Sequence, residues 1–450
     1  MNIVIIGNGN IGKSLADILS KKGHDIVMID SNYSKVNKIV DNYDVKAIWG
    51  NGTVYETQIK AGVDESNLTI AVTPSDETNL ISCMIAKQIG SKKVIAKVNN
   101  IDYSPQIEFM KNNFNLDLLI NTDKLVADEI LKMLRYPNWL KIKPLGKESL
   151  TISELVLKKG NKLINNRISD INKKYKANVL VYALFRENNV FIPSKEDILN
   201  EKDTVCVVGR NDELNSFFNN IGIIENNIKS IIIVGGSNTS VYLANQLSSI
   251  GIKVKIIERD LYVCKRLAQL ASKAKIINKD ATIQDVLIEE GINNTDAFIS
   301  MTESDEENII ISLFASHCNV EKVITKVNNT SIINLLEFSS LNTFISPIDV
   351  ISNEVEQYIN QENSLNLNEY PSDYILDEKV NFLEFKASKR DKVLGVPINR
   401  LKIKSDVTII AILRNGNLIV PSGNDYIKIN DNPIIATKNR FLKHLDDILC

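Results

Sequence analysis

Histidine is nearly missing from this chain: His24, His317 and His444 are the only three in 450 residues. None ends an apolar, strand-like run, where a dinucleotide fold would place its acid–base group, so hydride-transfer chemistry lacks its usual proton carrier. Cysteine is scarce too. Cys83, Cys206, Cys264, Cys318 and Cys450 are scattered, with no CxxC pair. That spacing excludes a disulfide framework and a thiolate metal site, and it suits isolated thiols in a reducing compartment. No stretch approaches the roughly 18 apolar residues that a membrane helix needs. The opening segment has neither a basic n-region nor a long apolar h-region, so no signal peptide is expected. Basic excess is absent as well: 53 Lys and Arg face 55 Asp and Glu, for a formal net charge of -2. A nucleic-acid surface would be strongly basic, so no nucleic-acid partner is expected and a DNA-binding redox regulator is disfavoured.

What the chain has instead is a duplication. Ile3–Ile6 with Gly7 matches Ile231–Val234 with Gly235, an offset of 235 − 7 = 228, and Asp30 matches Glu258 at the same spacing. TPSDETN from Thr73 matches TESDEEN from Thr302, and KVIAKVNN from Lys93 matches KVITKVNN from Lys322, both at 302 − 73 = 229. FIPS from Phe191 matches IVPS from Ile419 at 228. Matching blocks in one order at a nearly constant offset are a tandem repeat, and repeats decide architecture before any finer reading.

Each half opens on the same plan. The run NIVII at Asn2–Ile6 is almost wholly apolar and β-branched, as a strand buried on both faces must be. Gly7-Asn8-Gly9-Asn10-Ile11-Gly12 follows, then a helical pattern, then a second apolar run ending in Asp30. In such a turn the first glycine permits the tight bend, the second admits a pyrophosphate close to the backbone, and the third lets helix and strand approach. The helix start offers unpaired N–H groups and a partial positive charge to phosphates. Asp30 accepts both hydroxyls of an adenosine ribose and repels a 2′-phosphate, which favours NAD over NADP. Further apolar runs alternate with helical patterns to residue 120, the signature of βαβ units and a parallel sheet. Residues 135–143, with Pro137, break the pattern, and short β-rich pieces around polar turns then read as a small α+β module. The second half repeats this, with a polar linker over residues 361–377. The expected fold is therefore α/β: two doubly wound, Rossmann-like parallel-sheet domains, each followed by a small α+β module. The expected boundaries are 1–138, 141–223, 228–360 and 378–450.

Several residues stand at the carboxyl edge of the first sheet, where open α/β sheets bind ligands. Thr73 and Pro74 close the fourth strand, and Lys97 ends the fifth, within reach of a phosphate or ribose oxygen. The Ser75, Asp76 and Glu77 cluster is explained by helix capping and favourable first-turn charge. That does not explain why Thr73 and Asn79 recur as Thr302 and Asn308. In the second half the loop is Gly235-Gly236-Ser237-Asn238-Thr239-Ser240. Ser237 adds a side chain where the pyrophosphate should approach, and Ser240 should loosen the packing of helix on strand. Glu258 keeps the ribose acid, and Lys326 repeats Lys97.

With these blocks in view the chain resembles the TrkA family, the cytoplasmic regulatory subunits of bacterial Trk potassium-uptake systems, whose halves each join an RCK-N (KTN) to an RCK-C domain. The resemblance is carried by the GNGNIG loop with Asp30, by Trp49-Gly50-Asn51-Gly52-Thr53, by residues 73–79 and by Val94-Ile95-Ala96-Lys97. The family usually has an acid at position 51, where this chain has asparagine; Asp280-Ala281-Thr282 keeps that pattern better. The resemblance implies a homo-oligomer, a dimer or tetramer ring, beneath a membrane-embedded potassium transporter of the Trk type. Its shape would answer to NAD⁺ or NADH, with ATP and ADP as further candidates for the same kind of site. It adds Gly52 to the expected contacts and favours phosphate or ribose contact for Lys97. No catalytic or metal-ligating residue is expected; an NAD-dependent oxidoreductase is the rival reading.

Overall fold

The buried apolar runs become central strands. In β1 (Asn2–Ile6) the side chains of Ile3, Val4, Ile5 and Ile6 are all buried. The computed structural model describes residues 1–42, 45–137, 140–144, 150–187, 189–223, 228–329, 331–336, 341, 343–363, 369–370, 380–415, 417–438 and 442–450. The expected linker over residues 361–377 lies mostly outside these.

After β1 come α1 (Asn10–Lys21), β2 (Asp25–Asp30), α2 (Tyr33–Asn42), β3 (Lys46–Trp49), α3 (Tyr55–Lys60), β4 (Leu68–Ala71), α4 (Asp76–Ile89), β5 (Lys93–Lys97), α5 (Ile107–Asn113), β6 (Leu118–Ile120) and α6 (Thr122–Arg135). The six strands form one all-parallel sheet in the order β3-β2-β1-β4-β5-β6. The order reverses between β1 and β4, and the crevice at such a switch point is where ligands bind. A five-stranded antiparallel sheet follows, from β7 (Leu140–Pro144), β8 (Leu150–Val156), β9 (Leu180–Arg186), β10 (Asn189–Phe191) and β11 (Thr204–Arg210), with α7 (Ile168–Tyr175) and α8 (Asn211–Asn220).

The second half repeats both sheets. Its parallel sheet holds β12 (Ser230–Val234), β13 (Lys253–Glu258), β14 (Lys275–Asn278), β15 (Ala297–Ser300), β16 (Lys322–Lys326) and β17 (Phe344–Ile345), ordered β14-β13-β12-β15-β16-β17. The helices between are α9 (Asn238–Ser249), α10 (Leu261–Leu270), α11 (Gln284–Glu289), α12 (Asp305–His317), α13 (Ser331–Leu335) and α14 (Pro347–Asn363). Its small sheet, β18 (Glu369–Tyr370), β19 (Asn381–Glu384), β20 (Val407–Arg414), β21 (Asn417–Ile419) and β22 (Asn432–Thr437), has the strand order of the first small sheet. The repeat extends to single contacts: Arg186 grips buried Asp203 through Nε and Nη2 at 2.7 Å each, and Arg414 grips buried Asp431 through the same atoms at 3.0 and 2.8 Å. The two-pronged fork fits a carboxylate and keeps each buried charge paired.

The chain divides into two compact units that do not follow sequence order. Residues 1–134 join 227–355, and 135–226 join 356–450. In the first unit α6 of the first half lies on the second half's sheet. Its Val126, Ala127, Ile130 and Leu134 share a core with Ile231, Ile233, Val241, Leu243 and Leu247. Polar ties flank this seam: Asn121 Nδ2 donates to the Tyr242 hydroxyl at 3.1 Å, Thr239 Oγ1 to Asp123 at 2.8 Å, and Gln246 Nε2 to Asp128 at 2.5 Å.

The last turn of α6 leaves carbonyls without intrahelical donors. Lys322 Nζ supplies the donor, reaching the carbonyls of Met133 and Leu134 at 2.8 and 2.6 Å. Burial lowers this ammonium from 10.5 to about 8, against a smaller opposing pull from Glu321. The unfolded chain therefore binds more protons between those two values, so stability should rise with pH across that window. Lys322→Met is expected to flatten the rise, read from urea midpoints at about pH 7 and about pH 10. A parent-like slope in the variant would refute this origin.

Among the described residues no helix is long and apolar enough to cross a membrane, and no group of three or more His, Cys, Asp or Glu could hold a metal ion.

Candidate functional site

The first turn is shaped by its glycines. Gly7 adopts φ +110°, and its N–H donates to the Ile29 carbonyl at 2.8 Å. A Cβ on Gly12 would lie 1.9 Å from the Gly7 carbonyl oxygen, so only glycine lets α1 sit this close. A Cβ on Gly9 would meet nothing within 4 Å. Gly9 is also the N-cap of α1, with no side-chain cap and no acid in the first turn. The first N–H groups of the helix, at Asn10, Ile11 and Gly12, thus have no side-chain cap and the dipole behind them, an arrangement that suits an anion. Asn8 is buried under the turn; its Nδ2 donates to the Lys35 carbonyl at 2.8 Å, and its Oδ1 is buried without a partner.

Asp30 ends β2 half-buried. Its Oδ2 accepts from the Asn8 N–H and its Oδ1 from the Asn32 N–H, both at 2.7 Å. Each carboxylate oxygen keeps a further lone pair, so the acid can fix the turn and still accept two ribose hydroxyls. Gly52 is buried for a packing reason: a Cβ there would fall 2.2 Å from Ile6 Cγ2. Asn51 lacks the charge of its counterpart Asp280 but makes the same turn. Asn51 Oδ1 accepts from Thr53 N and Oγ1 at 3.0 Å each, and Asp280 Oδ1 accepts from the matching Thr282 atoms at 2.9 and 2.7 Å.

The recurrence of Thr73 and Asn79 has a structural cause. Asn79 Oδ1 takes both the N–H and the hydroxyl of Thr73, at 2.8 and 2.7 Å, while its Nδ2 donates to the carbonyls of Thr73 and Lys97 at 3.1 and 3.0 Å. One buried amide thus pins the ends of two neighbouring strands to α4. Asn308 does the same for Thr302 and Lys326, at 2.8, 2.9, 3.2 and 3.1 Å. Pro74, beside it, is exposed. Ser75 caps α4 by accepting from Thr78 N at 3.1 Å. Asp76 does more than favour the helix dipole: its Oδ2 accepts from Asn99 N and Asn100 N at 2.9 and 2.7 Å.

In the second half Gly235, Gly236, Ser237, Glu258, Thr302 and Lys326 line one cleft of about 380 Å³ with Arg259, Lys279 and Asp280, within the size range of small-ligand sites. Gly235 repeats the positive φ at +104°. Glu258 repeats the grip of Asp30, accepting from Gly236 N and Asp260 N at 2.7 Å each. Ser240 is buried, and its hydroxyl donates to the Gly235 carbonyl at 2.6 Å. The helix stands back enough to admit the side chain, and this hydrogen bond ties α9 to the turn where glycine ties α1 by close packing. Ser237 caps α9, accepting from Ser240 N at 3.3 Å, which occupies one of the N–H groups that α1 leaves free. Asn238 and Thr239 are turned to other partners: Arg266 donates to Asn238 Oδ1, and Thr239 donates to Asp123.

Lys97 and Lys326 supply cations at the two edges. Among the described residues neither ammonium has a hydrogen bond or an ion pair. Burial lowers both below the ordinary lysine value, and acids resist the shift: Asp76 and Asp123 for Lys97; Asp305, Asp123 and Glu303 for Lys326. Asp123, at the start of α6, is thus felt by the strand-end lysines of both halves. Sequence reading missed it, because a first-turn acid looks like ordinary helix-dipole chemistry; in the repeat the first-turn acid of α14, Asp349, stands one place further into its helix.

The repeated parallel sheets, each with its glycine turn and strand-end acid, define a class of protein, a tandem chain of Rossmann-like domains. Its particular family follows from comparison with known sequences. The TrkA-N domain model matches residues 3–119 and 231–347, and the TrkA-C domain model matches 152–222. The chain belongs to the TrkA family. It is 24% identical to the Trk system potassium uptake protein TrkA of Vibrio alginolyticus over 452 residues, covering 100% of this chain and 98% of that protein. It is 27% identical to the TrkA homolog of Archaeoglobus fulgidus over 448 residues, covering 100% of both. Among solved structures, the GsuK channel bound to NAD superposes with a TM-score of 0.64 at 17% identity, covering 97% of this chain and 76% of that one.

Proposed function

We propose that this chain is the cytoplasmic, nucleotide-responsive regulatory subunit of a Trk-type potassium-uptake system, not an enzyme, and that its first-half site takes NAD⁺ or NADH. The observation that carries this reading is the uncapped start of α1 over Gly9, with 2.7 Å hydrogen bonds orienting Asp30 beside it. In this reading the N–H groups of Asn10, Ile11 and Gly12 hold the pyrophosphate, Asp30 takes the adenosine ribose, and Lys97 reaches an oxygen from the neighbouring strand end. Thr73 contributes through its place at the edge, its own hydroxyl being committed to Asn79. ATP and ADP fit the same features, since every adenosine phosphate carries that ribose and an anion. The second-half cleft offers Gly235, Gly236, Ser237, Glu258, Thr302 and Lys326 to a nucleotide held less tightly at its phosphates. The segments 1–138, 141–223, 228–360 and 378–450 are the proposed domains.

Support for the transport role comes from the names of the full-length relatives, potassium-uptake proteins, and from the NAD bound by the GsuK channel. Nucleotide control requires only that the ligand bind one conformation of the assembly better than another. The chain would sit peripherally at the inner face of the membrane, as a ring of copies beneath its transporter. Self-association is supported by the surface. Val54, Ile59, Ile81 and Met84 are exposed on or beside α3 and α4, and their counterparts at an offset of 229, Ile283, Ile288, Ile310 and Leu313, are exposed too. Solvent-facing positions that stay apolar in both copies of a repeat mark an interface.

The test is rubidium uptake by cells lacking the gene and complemented with parent or Asp30→Ala, paired with nucleotide titration of the purified proteins. Asp30→Ala is expected to weaken nucleotide binding about tenfold or more, through loss of charge-assisted hydrogen bonds, and to change uptake. Uptake indifferent to the gene would sink the transport reading, and steady oxidation or reduction of the nucleotide would sink the non-enzymatic one.

A further inference from the structure

The end of β3 differs between the halves in a way that loop geometry does not demand. Trp49 stands opposite Asp30 in the parallel register, at the last residue of its strand. Its Nε1 donates to the Ser31 carbonyl at 3.1 Å, and so clamps the segment just after the ribose acid. In the second half Asn278 holds the same position opposite Glu258, and its Nδ2 donates to the carbonyls of Glu258 and Arg259 at 3.1 and 2.9 Å. Arg259 is the counterpart of Ser31. The clamp therefore needs only a short amide, and the indole does the same work while leaving a large ring 63% exposed. What tryptophan adds is aromatic surface. Tyr33, at the start of α2 and itself 61% exposed, sets its ring edge-on to the indole at 5.6 Å and 79°. The pinned N–H and the edge contact fix the orientation of the indole before any ligand arrives. The counterpart of Tyr33 in the second half is Leu261.

An adenosine whose ribose meets Asp30 must place its base within one ring's length of that carboxylate. Strands lie only about 4.8 Å apart, so Trp49 is within reach of the base. We propose that Trp49 and Tyr33 form an aromatic wall against which the adenine of the first-half nucleotide lies, and that the second half, lacking it, discriminates poorly among bases. This rests on the nucleotide reading of the Gly9 turn. A purine presents a π-face to the indole, and such contacts favour flat bases over the sugar and phosphate alone.

Calorimetric titration of ADP into the full chain tests it, with the first-half component defined as the part that Gly9→Glu removes. Trp49→Asn copies the second half, keeping an amide for the clamp and removing the ring; it should weaken that component about tenfold. Trp49→Phe keeps a ring and removes the N–H, and should stay within about threefold of the parent. Tyr33→Ala, which leaves both the clamp and Trp49 in place, should weaken it to an intermediate degree. Indole emission should change on ADP addition in the parent and not in Gly9→Glu. Parent-like binding by Trp49→Asn would overturn the wall while leaving the nucleotide site standing. Equal losses in Trp49→Asn and Trp49→Phe would also overturn it, since the clamp would then be the cause. A parent with no component sensitive to Gly9→Glu would remove the site and the wall together.

Discussion

Gly9→Glu is expected to fold as the parent does and to lose NAD and ADP at the first half by about a hundredfold or more. Two observations set this expectation. A Cβ on Gly9 would meet nothing within 4 Å beyond its chain neighbours, so a side chain can leave the backbone there without the fold yielding. The same position lies at the uncapped start of α1, where the carboxylate would compete for the free N–H groups and face the ligand's phosphates. Like charges about 4 Å apart repel by about 1 to 4 kcal/mol each, depending on solvent screening, and a diphosphate carries more than one. Isothermal calorimetry with a thermal melt as the folding control reads both halves of the claim. Unchanged nucleotide affinity in a folded variant would remove the phosphate-binding role of the turn. Gly12→Ala would be a poorer probe, because its Cβ would strike the Gly7 carbonyl at 1.9 Å and displace α1 bodily.

The double variant Ile81→Asp, Ile310→Asp is expected to lower the molar mass in solution without unfolding the monomer. Ile310 is 66% exposed and Ile81 47% exposed, so neither charge is buried in the folded chain. On an interface made by equivalent faces of two copies, each substitution acts twice, once from either side. Burying even one unpaired carboxylate costs several kcal/mol, enough to empty an assembly at micromolar concentration. Light scattering coupled to size exclusion would record the drop. An unchanged mass would place the assembly contacts elsewhere.

Much of this was legible in the residues, and the reason is the duplication. Two copies of one plan at offsets of 228 and 229 separate what the fold requires from what drifts. Gly7, Gly9, Gly12 and Asp30 declared the turn because the chemistry of close approach admits so few residue types. The parallel, doubly wound class of each large sheet followed from apolar runs alternating with helical ones. The repeated Thr73 and Asn79 were visible as a signal, but their meaning was not: an amide pinning two strand ends looks, in one dimension, like a contact reserved for a ligand. Ser240 was legible as a departure, whereas its hydrogen bond to Gly235 depends on a small retreat of α9 that no spacing reports. Least legible was the pairing of like with like, the parallel sheets in one unit and the antiparallel sheets in the other. It depends on which face α6 covers, and an apolar stripe does not name the sheet that will cover it.

That placement of α6 has a bearing on what a half-length version of this protein would be. A product ending near residue 223 would present Val126, Ala127, Ile130 and Leu134 with their usual cover gone, and would be driven to find it in another molecule. Fusion removes the search. The cover is tethered to the same backbone, so the pairing holds at any dilution and at any level of synthesis. It also guarantees a mixed couple, one partner with an open helix start and an aromatic neighbour, the other with neither, which no pairing of identical halves could deliver.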